Sequence, residues 1–326
     1  MGVGREERGR MKFGKLKAIL QGKKEFHRIE DWNATPITIG SVSPNVYRMQ
    51  KGPKDYYVKE INEGERKSLL VLTAIRSRLI PSIVYPDLLD RRILVFPYLG
   101  PCLRPKAKLE PRLFWEYAGM QNALNNPGVR RKLRRTHDYR WSDGDNGWFS
   151  RGYARGISGC LPWMKRFRRR YRLRELETWV RAFTLMAENA PLIALEYSRM
   201  PFGRLHGDFR EDNIVGKPQR LADWCSSYER SINGHGPFMH DVGPYLACDK
   251  RARLAFVGAS DICRKAAPHT VDRWIWLASC IHLWAKANML IPDNGRMEYS
   301  TEVLRRFIRK HAWLCRIVLS HLGRPG

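Results

Sequence analysis

The stretch RLHGDFREDNIVGKPQRLADWCSS, residues 204–227, decides how the rest of the chain is read. A polar loop is followed by two short apolar β-type pieces, Asn213-Ile214-Val215 and Arg220-Leu221-Ala222. If the segment folds as a loop and a hairpin, three oxygen acceptors, Asp208, Asn213 and Asp223, face a common point. Upstream, residues 36–99 read as strand-rich with one helix. ITIG (37–40), NVYRMQ (45–50) and DYYVKEI (55–61) are β-type runs, with Gly52-Pro53 as a hairpin turn. Glu65 to Leu79 carries Leu69, Leu72 and Ile75 on a helical face. IVYPDLL (83–89) and RILVFPYL (92–99) read as two further strands around an Asp90-Arg91 turn. The order is β-β-β-α-β-β.

From residue 100 onward the pattern is helical. Leu176, Trp179, Val180, Phe183 and Met186 mark one amphipathic helix, Trp274 to Met289 an apolar one, and Ser300 caps a long final helix. Residues 136–160, rich in Gly, Ser, Asp and Trp, are expected to form a long loop or insertion. Residues 1–35 are expected to be an appended basic arm. The division is therefore a 1–35 extension, a 36–99 N-lobe and a 100–326 helical C-lobe with the acceptor site.

Composition narrows the class. The chain has 326 residues, and 59 Lys+Arg against 32 Asp+Glu give a formal charge of +27. Hydrophobic residues are 43% of the chain, too many for a disordered one. No apolar run is long enough to cross a bilayer, because His282, Lys286 and Asn288 interrupt the nearest candidate. The N-terminal stretch has no apolar signal core. The seven cysteines, with no CxxC, match no zinc spacing and read as reduced thiols in a cytoplasmic protein. Positive charge clusters at 130–135 and 165–174, readable as a polyanion-binding face or as solvated helix surface.

The acceptor set fits phosphoryl transfer. ATP must be held with a divalent metal, and carboxylate and amide oxygens are the hard ligands Mg²⁺ prefers. A separate carboxylate must orient the acceptor hydroxyl and take its proton. The spacing His-x-Asp-x-x-x-x-Asn, followed after a short hairpin by Asp, supplies a base and two metal ligands. Here these are Asp208, Asn213 and Asp223.

HGDFREDNIV followed by LADW resembles the aminoglycoside phosphotransferase and choline kinase-like superfamily. The resemblance implies an α+β, bilobal protein-kinase-like fold: a small antiparallel-sheet N-lobe with one helix, and a larger, mostly helical C-lobe. It implies Asp208 as the catalytic base and Asn213 and Asp223 as the Mg²⁺ ligands. TIGSVSPNVYRM (38–49) resembles the phosphate loop, with Gly40, Ser41 and Ser43 letting backbone N–H groups approach phosphate oxygens. YYVKEI (56–61) resembles the lysine strand, making Lys59 the phosphate ligand. Glu65, with Leu69 and Leu72, resembles the partner helix, while Glu60 and Glu63 compete for Lys59. LVFPYLGPCL (94–103) resembles the hinge, with backbone from Pro97 to Leu99 near the adenine. GPFMHDVGPYLACD (236–249) resembles the segment that braces the catalytic loop, giving Asp241 and His206 structural roles. Arg210 faces the transferred phosphate or is a surface residue. Glycine is scarce in the phosphate loop, and Cys225 stands where Glu or Ser often follows Asp-Trp.

The resemblance implies ATP and a small hydroxyl-bearing substrate as partners: a sugar, amino alcohol, nucleoside or antibiotic-like acceptor. From residue 241 onward seven Asp/Glu face 14 Lys/Arg, a balance that disfavours polycationic aminoglycosides. Trp274, Trp276, Trp284 and Trp313 read as core or as sugar-stacking residues. The alternative reading is a catalytically silent kinase-like scaffold that binds a polyanion or cell-envelope component through its basic surface.

Overall fold

The computed structural model describes residues 13–37, 46–104, 107–137, 148–222, 224, 235–291 and 299–322. Residues 13–36 form helix α1 (Phe13–Gln21), two short 3-10 turns and strand β1 (Asn33–Pro36). With β2 (Val46–Lys51), β3 (Lys54–Glu60) and β4 (Ile93–Pro97), β1 makes an antiparallel sheet in the order β1-β2-β3-β4. The β2–β3 hairpin closes at Gly52, whose φ of +54° is a conformation that favours glycine. Strand positions 38–40 of the expected ITIG run lie outside the described residues.

Side chains alternate across this sheet with the two-residue period of a strand. Ile93 and Val95 of β4 and Val58 of β3 face one cluster; Leu94, Phe96 and Tyr57 face another. The first cluster contains Leu16, Leu20, Phe26, Ile29 and Trp32. The expected basic arm is thus, over its described part, the cover of the sheet's outer face. Its apolar residues, scattered among lysines, are spaced for packing on a sheet, and the local charge hid them. Burying each large apolar side chain contributes about 1.5–3 kcal/mol.

Helix α2 (Glu63–Ala74) covers the inner face with Leu69, Val71 and Leu72. Asn62 caps it by accepting from the Glu65 N–H at 2.8 Å. The expected strand at 83–89 is instead a 3-10 turn, Pro86–Arg91. Pro86 has no N–H for a sheet ladder, while its fixed φ suits the start of a helical turn. Val84 alone keeps an edge bond, to the Val95 carbonyl at 2.9 Å. Asp90-Arg91 therefore ends that turn, at Arg92 with φ +60°, and makes no hairpin.

The larger lobe is helical. Its elements are α3 (Pro111–Asn125), α4 (Pro127–His137), α5 (Trp148–Tyr171), α6 (Glu175–Glu188) and α7 (Ala190–Ser198). After short strands β5 (Phe202–Arg204), β6 (Ile214–Val215), β7 (Arg220–Leu221) and β8 (His235–Pro237) come α8 (Gly243–Cys248), α9 (Lys250–Ala259), α10 (Asp261–Lys265), α11 (Pro268–Asn288) and α12 (Thr301–Leu322). Ser300 caps α12 as expected, its hydroxyl accepting from Val303 N at 3.2 Å.

Within the expected 136–160 loop, residues from 148 onward are helix α5. Tyr153, Ile157, Cys160, Met164 and Phe167 form one buried stripe at helical spacing. The glycines that suggested a loop include one that makes room: a Cβ on Gly156 would lie 2.7 Å from the Trp284 indole. The basic segments at 130–135 and 165–174 lie on α4 and the end of α5, anchored by Leu133 and Phe167 with most of their cations exposed. No helix among the described residues is long and apolar enough to cross a membrane.

Candidate active site

Strand β3 sets Lys59 on the inner face of the sheet, two residues from Tyr57 and opposite Leu94 in the register. Helix α2 brings Glu65 up to it. Lys59 Nζ lies 2.9 Å from both Glu65 carboxylate oxygens. Both residues are buried, at 5% and 2% exposure. Of the three competing carboxylates, Glu65 makes the contact, while Glu63 turns outward to Arg66 at 2.8 Å. The six-residue gap from Lys59 suffices because α2 starts immediately after the strand.

Strand β5 delivers the loop Leu205–Asp212 into the cleft, and the hairpin β6–β7 follows it. Asn213 Nδ2 donates to the Asp208 backbone oxygen at 2.8 Å and to Asp208 Oδ2 at 3.0 Å. Because both partners are acceptors, the NH₂ must face them, and Asn213 Oδ1 points elsewhere. That oxygen is buried and has no hydrogen-bond partner among the described residues. The second Asp208 oxygen, Oδ1, lies 3.1 Å from Arg210 Nε. Asp208 is thus oriented from both sides while still reachable by solvent. Asp223, Ser41 and Ser43 lie outside the described residues, as does Gly40. Pro97 ends β4 opposite Tyr56, and Leu99 follows, packed near the hairpin turn at Gly216.

A second layer holds the loop. Asp241 accepts from His206 N at 2.5 Å, from Gly207 N at 3.2 Å and from the Tyr117 hydroxyl at 2.6 Å. Burial pushes its carboxyl up to about 6, against the pull of those three donors. Burial, with the Asp241 charge beside it, likewise drives the Tyr117 phenol well above its ordinary range. His206 is fully buried, its ring 4.8 Å from that of Trp224, and its Nδ1 accepts from Asp208 N at 3.3 Å. Its position is that of a brace.

Several contacts here join residues far apart in the chain and have no local signal. Tyr117 and Gln121 of α3 both hold the Arg204 carbonyl, and Tyr245 donates to the Phe209 carbonyl at 3.0 Å. Arg204 reaches across the lobes to the Ser68 hydroxyl on α2. Beside the loop a cavity of about 1000 Å³ runs from Gly207 and Asp208 to α11 and α12. Among the four candidate tryptophans, Trp276 is core, Trp274 packs on Phe238 and Trp284 on Tyr153, while Trp313 lines this cavity.

No family model and no curated protein matches the chain. Solved structures do. Spectinomycin phosphotransferase, in complex with ADP and spectinomycin, aligns with 94% of this chain and 97% of its own at 8% identity and TM-score 0.52. An ethanolamine kinase from Plasmodium vivax aligns with 95% of this chain and 88% of its own, at 11% identity and TM-score 0.48. Choline kinase from Streptococcus pneumoniae covers 92% of this chain and 99% of its own, at 13% identity and TM-score 0.42. The likeness to spectinomycin phosphotransferase shows the fold: a small antiparallel-sheet lobe with one helix beside a larger, mostly helical lobe. The chain's structural neighbours are small-molecule kinases and an antibiotic phosphotransferase.

Proposed function

We propose that this protein transfers the γ-phosphate of ATP to a hydroxyl group of a small molecule. One observation carries the reading: a buried Lys59–Glu65 pair on one lobe and an oriented Asp208–Asn213 pair on the other. A silent scaffold needs neither, and a buried ion pair is costly to keep without a use.

In this reading Asp208 accepts a hydrogen bond from the acceptor hydroxyl and takes its proton as the new O–P bond forms. The bond from the γ-phosphorus to the bridging oxygen breaks and ADP leaves. Lys59, fixed by Glu65, pairs with the α/β-phosphates, and the backbone at Pro97 and Leu99 borders the adenine. Ser41 and Ser43, outside the described residues, are the phosphate-loop residues of this reading. Arg210, two residues from Asp208, faces the transferred group. The unpartnered Asn213 Oδ1 is an oxygen of the kind Mg²⁺ takes, and Asp223 is the second ligand. When bound, the ion neutralises charge on the phosphates. His206 and Asp241 hold the loop in place. ATP as donor fits a cytoplasmic site of action.

The test is ADP release measured across sugars, amino alcohols, nucleosides and antibiotics, with Asp208→Asn as control. Acceptor-dependent release that disappears in the variant is the expected result. No thermal shift with millimolar Mg-ATP would instead favour the scaffold.

A further inference from the structure

The wall of the cavity facing the catalytic loop is strongly basic. From α11 and α12 it receives Lys286, Arg305, Arg306, Arg309, Lys310 and Arg316, against a single carboxylate, Glu302. These α12 positions recur every three or four residues, so they form one stripe. The opposite stripe, Leu304, Ile308, Leu314, Cys315 and Val318, is buried core. The helix register therefore turns the cations away from the core, where they line the open side of the cavity.

Arg305 and Arg309 are committed to carboxylates. Arg305 pairs with Glu302 at 3.1 Å and Arg309 with Glu175 at 2.6 Å. Arg306, Lys310 and Arg316 have no carboxylate within ion-pair distance among the described residues. The carboxylates of the cavity lie mostly at its other side, where Asp208, Glu211, Asp241 and Asp249 line it. The α12 wall is positive and the loop side is negative, and a wall of one sign attracts ions of the other sign. Asp208 lines the far end of this cavity, so whatever binds the basic wall presents its other end to the proposed base.

We infer that the acceptor is an anionic polyol: a hydroxyl-bearing ring or chain that also carries a phosphate group, held by Arg306, Lys310 and Arg316. Trp313 lies on the same stripe and supplies an aromatic surface against which a sugar ring can pack. Choline, ethanolamine and aminoglycosides are cations, and this wall repels them. The inference rests on the phosphotransferase reading, since it places the acceptor hydroxyl at Asp208.

The test is calorimetry on the full chain saturated with Mg-AMP-PNP, so that the nucleotide site is filled. Glucose 6-phosphate serves as a soluble probe and phosphatidylinositol vesicles as a lipid-borne one. Binding of either probe, weakened at least tenfold in the double variant Arg306→Gln/Lys310→Gln and by added salt, is expected. Which probe binds identifies the source of the phosphate. If neither binds, if the variant binds equally well, or if choline binds in their place, the inference is overturned. Circular dichroism of the variant establishes that it folds; if it does not, Arg316→Gln, at the exposed end of the stripe, gives the same readout. Failure to bind Mg-AMP-PNP removes the phosphotransferase reading and this inference with it. Nucleotide binding without anion binding removes the inference alone.

Discussion

Lys59 Nζ is equidistant, at 2.9 Å, from the two carboxylate oxygens of Glu65. The pair is buried, so each charge depends on the other. Removing one partner takes a bidentate contact from the other's buried charge, at a cost of about 3–5 kcal/mol. Glu65→Ala should lose that much stability in urea unfolding, and its KM for ATP should rise at least tenfold. Lys59→Met, which replaces the cation with an apolar chain of similar length, should lose nucleotide affinity as well. Unaltered ATP binding in both variants would separate the pair from the nucleotide.

Asp208 is the proposed base. Asp208→Asn keeps the shape and the contact with Asn213 but cannot take a proton. Turnover should fall about 10²–10⁴-fold, while the thermal shift with Mg-ATP persists. A variant within threefold of wild-type kcat would assign the proton transfer elsewhere.

Asn213 joins two tasks in this reading, anchoring Asp208 through Nδ2 and keeping a buried, unpartnered Oδ1 for the metal. Asn213→Ala should raise the Mg²⁺ concentration for half-maximal rate about tenfold, the weight of about one charge-assisted contact at 1.4 kcal/mol. A metal titration curve superposable on wild type counts against Oδ1 as a ligand.

Asp241 gives a pH dependence. Its carboxyl stands near 6 when folded, above the 3.8 of the unbraced group. A raised folded value means that protonation favours the fold. The stabilisation is complete below 3.8 and is lost as pH rises through about 6, with a total on the order of 3 kcal/mol. Function runs the other way: the protonated carboxyl loses acceptor capacity for His206 N and Gly207 N, so kcat/KM should fall below about pH 6. In Asp241→Asn that acid limb should vanish. A limb of unchanged position in the variant contradicts the assignment.

Gly156 is the notch in α5 that receives Trp284. Gly156→Ala should destabilise by about 1–3 kcal/mol through overpacking, seen as a lower Tm. Trade of the indole for a smaller side chain, Trp284→Leu, should restore part of the loss in the double variant. Additive losses would mean the two do not compete for the same space.

The contacts within the loop at 206–213 are legible in the sequence, because they are local. His206, Asp208 and Asn213 lie within eight residues, and the β6–β7 hairpin follows from apolar pairs around Gly216. The Lys59–Glu65 contact was legible as a choice among three glutamates, since strand and helix are adjacent in the chain. What depends on distant packing was not legible. Tyr117 stands 124 residues from Asp241 and has nothing around it to mark a buried hydrogen bond. Residues 1–35 read as a basic arm because charged and polar residues interrupt their apolar ones, yet Leu16, Leu20, Phe26, Ile29 and Trp32 cover the outer face of a sheet. Pro86 was read as part of a strand because the β-branched residues before it dominate the run. The basic stripe of α12 is legible as charge, but only the fold places it along the cavity that Asp208 lines.

The main chain of β7 is tied to the small lobe: Leu221 N donates to the Leu79 carbonyl at 2.7 Å, and the Arg204 guanidinium reaches Ser68 nearby. Ser68 lies three residues along α2 from Glu65. Were the small sheet to rock on the larger lobe, these ties would hold the α2 side nearly still and the β2–β3 tip would travel farthest. In the proposed phosphotransferase, a nucleotide would then come and go while Lys59 keeps its place.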